Sequence, residues 1–116
     1  MSDLRPKVVA ACIGDCVHVA GVTRFLSIAE DQGFETHFTG PATDLETFLD
    51  AIVARQPEVI GISYRLTPEN ARTLLTELGG MLTSAGLLGK VRVLFGGTPP
   101  VAALAREFDY IDHVFS

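Results

Sequence analysis

The sequence predicts an α/β fold, an open parallel sheet covered by helices on both faces. Three observations predict it. Short apolar runs recur at Lys7–Ile13, Val59–Ser63 and Val91–Phe95, amphipathic stretches of helical spacing separate them, and glycine or proline marks each change. Runs that are apolar throughout, rather than alternating, suit strands buried on both faces, as parallel strands are.

Each element follows in order. Lys7 to Ile13 (KVVAACI) reads as a central strand. From about Val17 the residues Val22, Phe25, Leu26 and Ala29 recur at helical spacing, and Gly33 supplies a left-handed stop. Glu35 to Thr39 is a short second strand. Gly40-Pro41 punctuates it, and Thr43-Asp44-Leu45-Glu46 has the spacing of a capping box. Leu45, Phe48, Leu49 and Ile52 mark a second helix that ends before Pro57. Val59 to Ser63 (VIGIS) is the third strand. Thr67 caps a third helix with Pro68 at its first position and a stripe of Ala71, Leu74, Leu75, Leu78 and Leu82. Val91 to Phe95 is the fourth strand, Gly96-Gly97 its exit, Thr98-Pro99-Pro100 a fourth helix start, and His113 to Phe115 a fifth strand. Strict alternation with right-handed crossovers favours the doubly wound, flavodoxin-like (Rossmann-like) strand order 2-1-3-4-5. The sequence ends at Ser116 with no residues left for a final helix, so the expectation is a trimmed piece of a longer polypeptide or a cover supplied by a partner chain. The uncovered face near Phe115 should promote self-association.

Composition narrows the function. At 116 residues, 47% hydrophobic and 20% charged, residues 1–116 read as one globular domain. No apolar run approaches the roughly 18 residues of a membrane span, and the opening Met-Ser-Asp-Leu-Arg-Pro carries no signal core, so a cytoplasmic protein is expected. Nine basic against fourteen acidic residues give a net charge of -5 with no Lys/Arg stripe. That argues against nucleic acid and against an anionic membrane surface, and for a small molecule or another protein as partner. The two cysteines, Cys12 and Cys16, frame no disulfide scaffold and lack the second pair that a zinc site needs.

In open parallel sheets, ligands bind outside the carboxyl ends of the strands, where strand order reverses. Three loops should meet there: Gly14 to Gly21, Ser63 to Thr67, and Gly96 to Pro100. A phosphoacceptor receiver would need an aspartate ending the third strand, which ends in Ser63. A dinucleotide site would need a G-x-G-x-x-G turn, whereas Gly14 and Gly21 stand apart. Cys16 with His18 as base lacks any orienting group for nucleophilic catalysis. A lone histidine is also too little for zinc, which takes three or four protein ligands. It suits a metal complex whose other positions are already filled. In cobalamin the corrin occupies four positions of the cobalt, so a protein need supply one axial nitrogen and a cleft for the nucleotide tail.

Three motifs then carry a family resemblance: His18-x-x-Gly21 after the first strand, Ser63 closing VIGIS, and Gly96-Gly97 closing VRVLF. Over Lys7 to Phe115 the chain resembles the cobalamin (vitamin B12)-binding domain shared by adenosylcobalamin-dependent mutases and methylcobalamin-dependent methyltransferases. Its layout is similar to that of the small subunit of glutamate mutase.

The resemblance implies roles. His18 would be the metal ligand, replacing the cofactor's own base beneath cobalt. Ser63 would hydrogen-bond that displaced base, Gly96 and Gly97 would let the tail pass close to backbone, and Gly21 would let the first helix start beside it. The family's aspartate two residues before the histidine takes its other N–H. Here that position is Cys16, with Asp15 one residue earlier, and the expectation is that Asp15 reaches His18 or that the relay is missing. Ser-x-Leu has drifted to Ser63-Tyr64-Arg65-Leu66, leaving Arg65 either on a tail phosphate or in solvent. The function implied is a cofactor-binding domain or subunit of a B12-dependent isomerase or methyltransferase. It would carry adenosylcobalamin or methylcobalamin, be inactive alone, and be partnered by a substrate-bearing domain or subunit. A non-enzymatic carrier or sensor, or a flavodoxin-like domain for another ligand, are the alternatives.

Overall fold

A computed structural model describes residues 5–116; the expected ragged start lies, in its first four residues, outside them. Strands β1 (Lys7–Cys12), β2 (Glu35–Phe38), β3 (Val59–Ser63), β4 (Arg92–Gly96) and β5 (His113–Phe115) alternate with helices α1 (Ala20–Asp31), α2 (Leu45–Arg55), α3 (Pro68–Ser84) and α4 (Pro99–Ala105). The sheet is parallel throughout, in the order β2-β1-β3-β4-β5. The predicted fold class and strand order are therefore present.

The two faces of this sheet are covered unequally. Helices α2, α3 and α4 pack side by side on one face, where Val9, Ala11, Ile60, Ile62, Val93 and Phe95 are buried. Helix α1 stands alone on the other, against β1, β2 and β3. Register places Ala10 beside Gly61 and Cys12 beside Ser63 on that second face. These small residues let α1 come close: a Cβ on Gly61 would meet the ring of Phe25 at 3.2 Å. Beyond the reach of α1, Leu94 and Gly96 are only half-buried and Phe115 is 49% exposed. The apolar face expected near Phe115 is thus present among the described residues. No helix among them is long and apolar enough to cross a membrane.

Local chemistry explains the element ends and corrects some of them. Helix α1 begins at Ala20 rather than near Val17, because Val17 to Val19 belong to the preceding loop. It ends as expected at Gly33, whose φ of 95° lets Gly33 N–H donate to Glu30 O and Phe34 N–H to Ala29 O, both at 3.0 Å. The start of α2 differs from the capping box read at Thr43. Asp44 is the cap, accepting from Thr47 N–H at 2.7 Å, while the Thr43 hydroxyl turns inward and donates to Gly40 O at 2.8 Å. Thr67 caps α3 as expected, accepting from Asn70 N–H at 3.2 Å. Strand β1 stops at Cys12, with Ile13 continuing only as a bridge to Thr43, and β4 runs one residue later than expected, through Gly96.

The cap assignment is testable. Hydrogen bonds from Thr47 hold the Asp44 carboxyl below its ordinary range. A depressed folded-state pKa means the stabilisation is present at neutral pH and lost as pH falls through that range. Asp44→Ala should lower the thermal midpoint at pH 7 and converge on the wild type in acid, whereas Glu46→Gln should leave the midpoint unchanged; melts at both pH values check this.

Candidate functional site

One row of residues crosses the carboxyl edge of the sheet. Register aligns Cys12 of β1 with Ser63 of β3, Ser63 with Gly96 of β4, and Gly96 with Phe115 of β5. Backbone bonds continue past the strand ends and set the loops. Ile13 N–H donates to Ser63 O at 3.1 Å, Tyr64 N–H to Gly96 O at 3.1 Å, and Gly97 N–H to Phe115 O at 3.2 Å.

The loop after β1 folds back at Gly14, whose φ of 61° is left-handed and whose Cβ would strike Leu74 at 2.8 Å. A turn from Cys16 N–H to Ile13 O at 3.2 Å then buries Cys16 completely. Ala42 N–H anchors the same residue from the β2–α2 connection, donating to Cys16 O at 2.7 Å with Ala42 itself at a φ of 49°. A left-handed alanine is strained, at roughly 1–2 kcal/mol, and the tether holds it there.

His18 is exposed just beyond this anchor. Its Nδ1 lies 3.6 Å from Cys16 Sγ, and its carbonyl accepts from the Cys12 thiol at 3.6 Å. Its Nε2 makes no hydrogen bond among the described residues. Asp15 is exposed and no hydrogen bond or ion pair joins it to His18. The side chain beside the His18 ring is that of Cys16, not Asp15. Burial pushes the Cys12 thiol up, the neighbouring Cys16 adds to this, and a hydrogen bond with Ser63 opposes it. A short polar path therefore runs from Cys12 through His18 to Cys16.

Beside this path lies a cleft of about 370 Å³ between α1 and the ends of β3 and β4. That volume is in the range of small-molecule sites. Gly21, Ser63, Arg65, Gly96 and Gly97 line it, whereas Asp15, Cys16 and His18 stand on the loop outside it. Sequence reasoning missed Arg24, Phe25 and Ile28, which α1 contributes to the wall. Their spacing on one turn of helix after Gly21 was the available signal.

The two glycines of the fourth-strand exit separate. A Cβ on Gly96 would meet nothing within 4 Å, so this position faces open space. A Cβ on Gly97 would lie 2.6 Å from the carbonyl of Tyr64, a residue that is itself 1% exposed. Gly97 is therefore required by the packing of the chain on itself. No group of three or more His, Cys, Asp or Glu among the described residues is placed to hold a metal ion. What the edge offers a metal complex is one imidazole nitrogen and a cleft.

A family model described as the B12 binding domain matches residues 6–115. No curated protein matches the chain in sequence. Among solved structures, a cobalamin-binding protein from Desulfitobacterium hafniense DCB-2 is similar, with a TM-score of 0.83 and 24% identity over 96% of this chain. The match covers 53% of that protein, so the chain spans about half its length. At that identity the likeness is one of fold.

The glycine pair gives a stability prediction. Gly97→Ala should cost on the order of 1–3 kcal/mol through the clash with the Tyr64 carbonyl, and Gly96→Ala much less. Urea denaturation of the two variants checks the difference.

Proposed function

Because this chain belongs to the B12-binding domain family, we propose that it holds cobalamin base-off, with His18 as the axial nitrogen on cobalt. It would serve as the cofactor-bearing part of a mutase or methyltransferase. Cobalamin is the cofactor of this family. The observation that carries the reading is the pairing of an exposed imidazole, free at Nε2, with a cleft of about 370 Å³ at the same sheet edge.

The residues fit the group. The donor set is a single nitrogen, as suits a metal whose ring already fills four positions. Gly96 and Gly21 leave open space where any side chain would project. Ser63 lines the cleft with a hydroxyl whose proton can be donated to the free ring nitrogen of the displaced base. Bound cobalamin supplies a reactive cobalt–carbon bond, adenosyl in mutases and methyl in methyltransferases, and that chemistry is the cofactor's own.

The thiol beside Nδ1 sets how His18 acts. For Nε2 to ligate, the imidazole proton must sit on Nδ1, where its neighbour is Cys16 Sγ at 3.6 Å. Sulfur is a weaker acceptor than a carboxylate and carries no charge as a thiol. The imidazole is oriented but receives less electron density than a carboxylate partner would give.

Two outcomes follow. Electron paramagnetic resonance of the cobalt(II) form should show one axial nitrogen in the wild type and none in His18→Ala; persistence of the nitrogen coupling would sink the assignment. Cys16→Asp should strengthen the ligand, shifting the His-on equilibrium by about tenfold or more and lowering the cobalt(II)/cobalt(I) potential, as spectroelectrochemistry reads.

A further inference from the structure

The chain is acidic, at a net charge of -5, yet the cleft is not. The only charged side chains among its lining residues are Arg24 and Arg65. They come from different elements: Arg24 from the second turn of α1, next to the Phe25 ring that packs on Gly61, and Arg65 from the loop two residues past Ser63. Neither side chain enters a hydrogen bond or ion pair among the described residues, although the arginines at 5 and 72 both find glutamates. The remaining wall is glycine, serine and apolar residues such as Ile28, Leu94 and Phe115.

Two unpaired guanidinium groups on a largely apolar wall with no acidic side chain make a local positive potential within a protein that repels anions at long range. Both arginines are exposed and so free to turn toward a bound group, and the planar guanidinium fork suits phosphate oxygens. We propose that Arg24 and Arg65 clamp the phosphodiester of the cobalamin nucleotide tail, so that this domain selects complete, phosphate-bearing corrinoids over those without the phosphate. This assignment rests on the cobalamin reading above. It gives Arg65 a partner other than solvent and adds Arg24 as a specificity-determining residue.

The test measures binding of hydroxocobalamin, cobinamide phosphate and cobinamide to the wild type, Arg24→Gln, Arg65→Gln and the double variant, with circular dichroism confirming the fold. Each single substitution should weaken hydroxocobalamin and cobinamide phosphate about tenfold, while leaving phosphate-free cobinamide within about twofold. Wild-type affinity for hydroxocobalamin should fall as salt rises, and this slope should flatten in the double variant. Unchanged hydroxocobalamin affinity in both single variants overturns the clamp while leaving cobalamin binding standing. Equal losses for cobinamide and hydroxocobalamin overturn it too, since they would assign the arginines to packing. Failure of the wild type to bind any of the three corrinoids overturns both the clamp and the cobalamin reading. Inorganic phosphate at millimolar concentration should compete with hydroxocobalamin only weakly; full displacement would assign the arginines to a free anion and overturn the tail clamp.

Discussion

The parallel register that sets Cys12, Ser63, Gly96 and Phe115 in one row is the constraint on which the rest of the molecule depends. A parallel ladder fixes which residues share a face, and a slip of one position would turn each of these side chains to the opposite side. With this register, the row presents a thiol, a hydroxyl, a bare backbone and an aromatic ring in succession. The polar half lies under the histidine loop. The glycine opens the cleft.

The same row organises the loops through the backbone. The N–H that follows β1, β3 and β4 reaches the final carbonyl of the neighbouring strand, so these turns leave the sheet already oriented. Tyr64 is drawn inward behind Ser63 and leaves its carbonyl against Gly97. This is why the two adjacent glycines differ: one accommodates the chain itself, and the other faces unfilled space. Close packing in the interior makes such a distinction sharp, because a methyl group has nowhere to go beside a fixed carbonyl.

Much of this was legible in the sequence because the signals are local. Apolar strands, the Gly33 stop, the Thr67 cap and the order of elements all follow from neighbours a few residues apart, and the three loops that meet at the edge follow from topology. What was not legible depends on residues distant in the chain. Thr43 resembles a cap, but its hydroxyl is taken by Gly40, and the role passes to Asp44. The placement of Cys16 against His18 needs the bond from Ala42. Arg24 reaches the cleft only because Phe25 seats α1 on Gly61, a rotation that spacing alone does not give.

The tether between Ala42 and Cys16 has a mechanical meaning. The histidine loop is pinned at Cys16, beneath by the turn to Ile13 and from the side by the β2–α2 connection, and it carries the exposed imidazole two residues further on, itself tied back to Cys12 and Cys16. The Gly40 to Thr43 segment, which contributes no side chain to the cleft, is therefore a handle on the placement of the imidazole, and a contact made by another protein on that segment would be felt at the His18 ring.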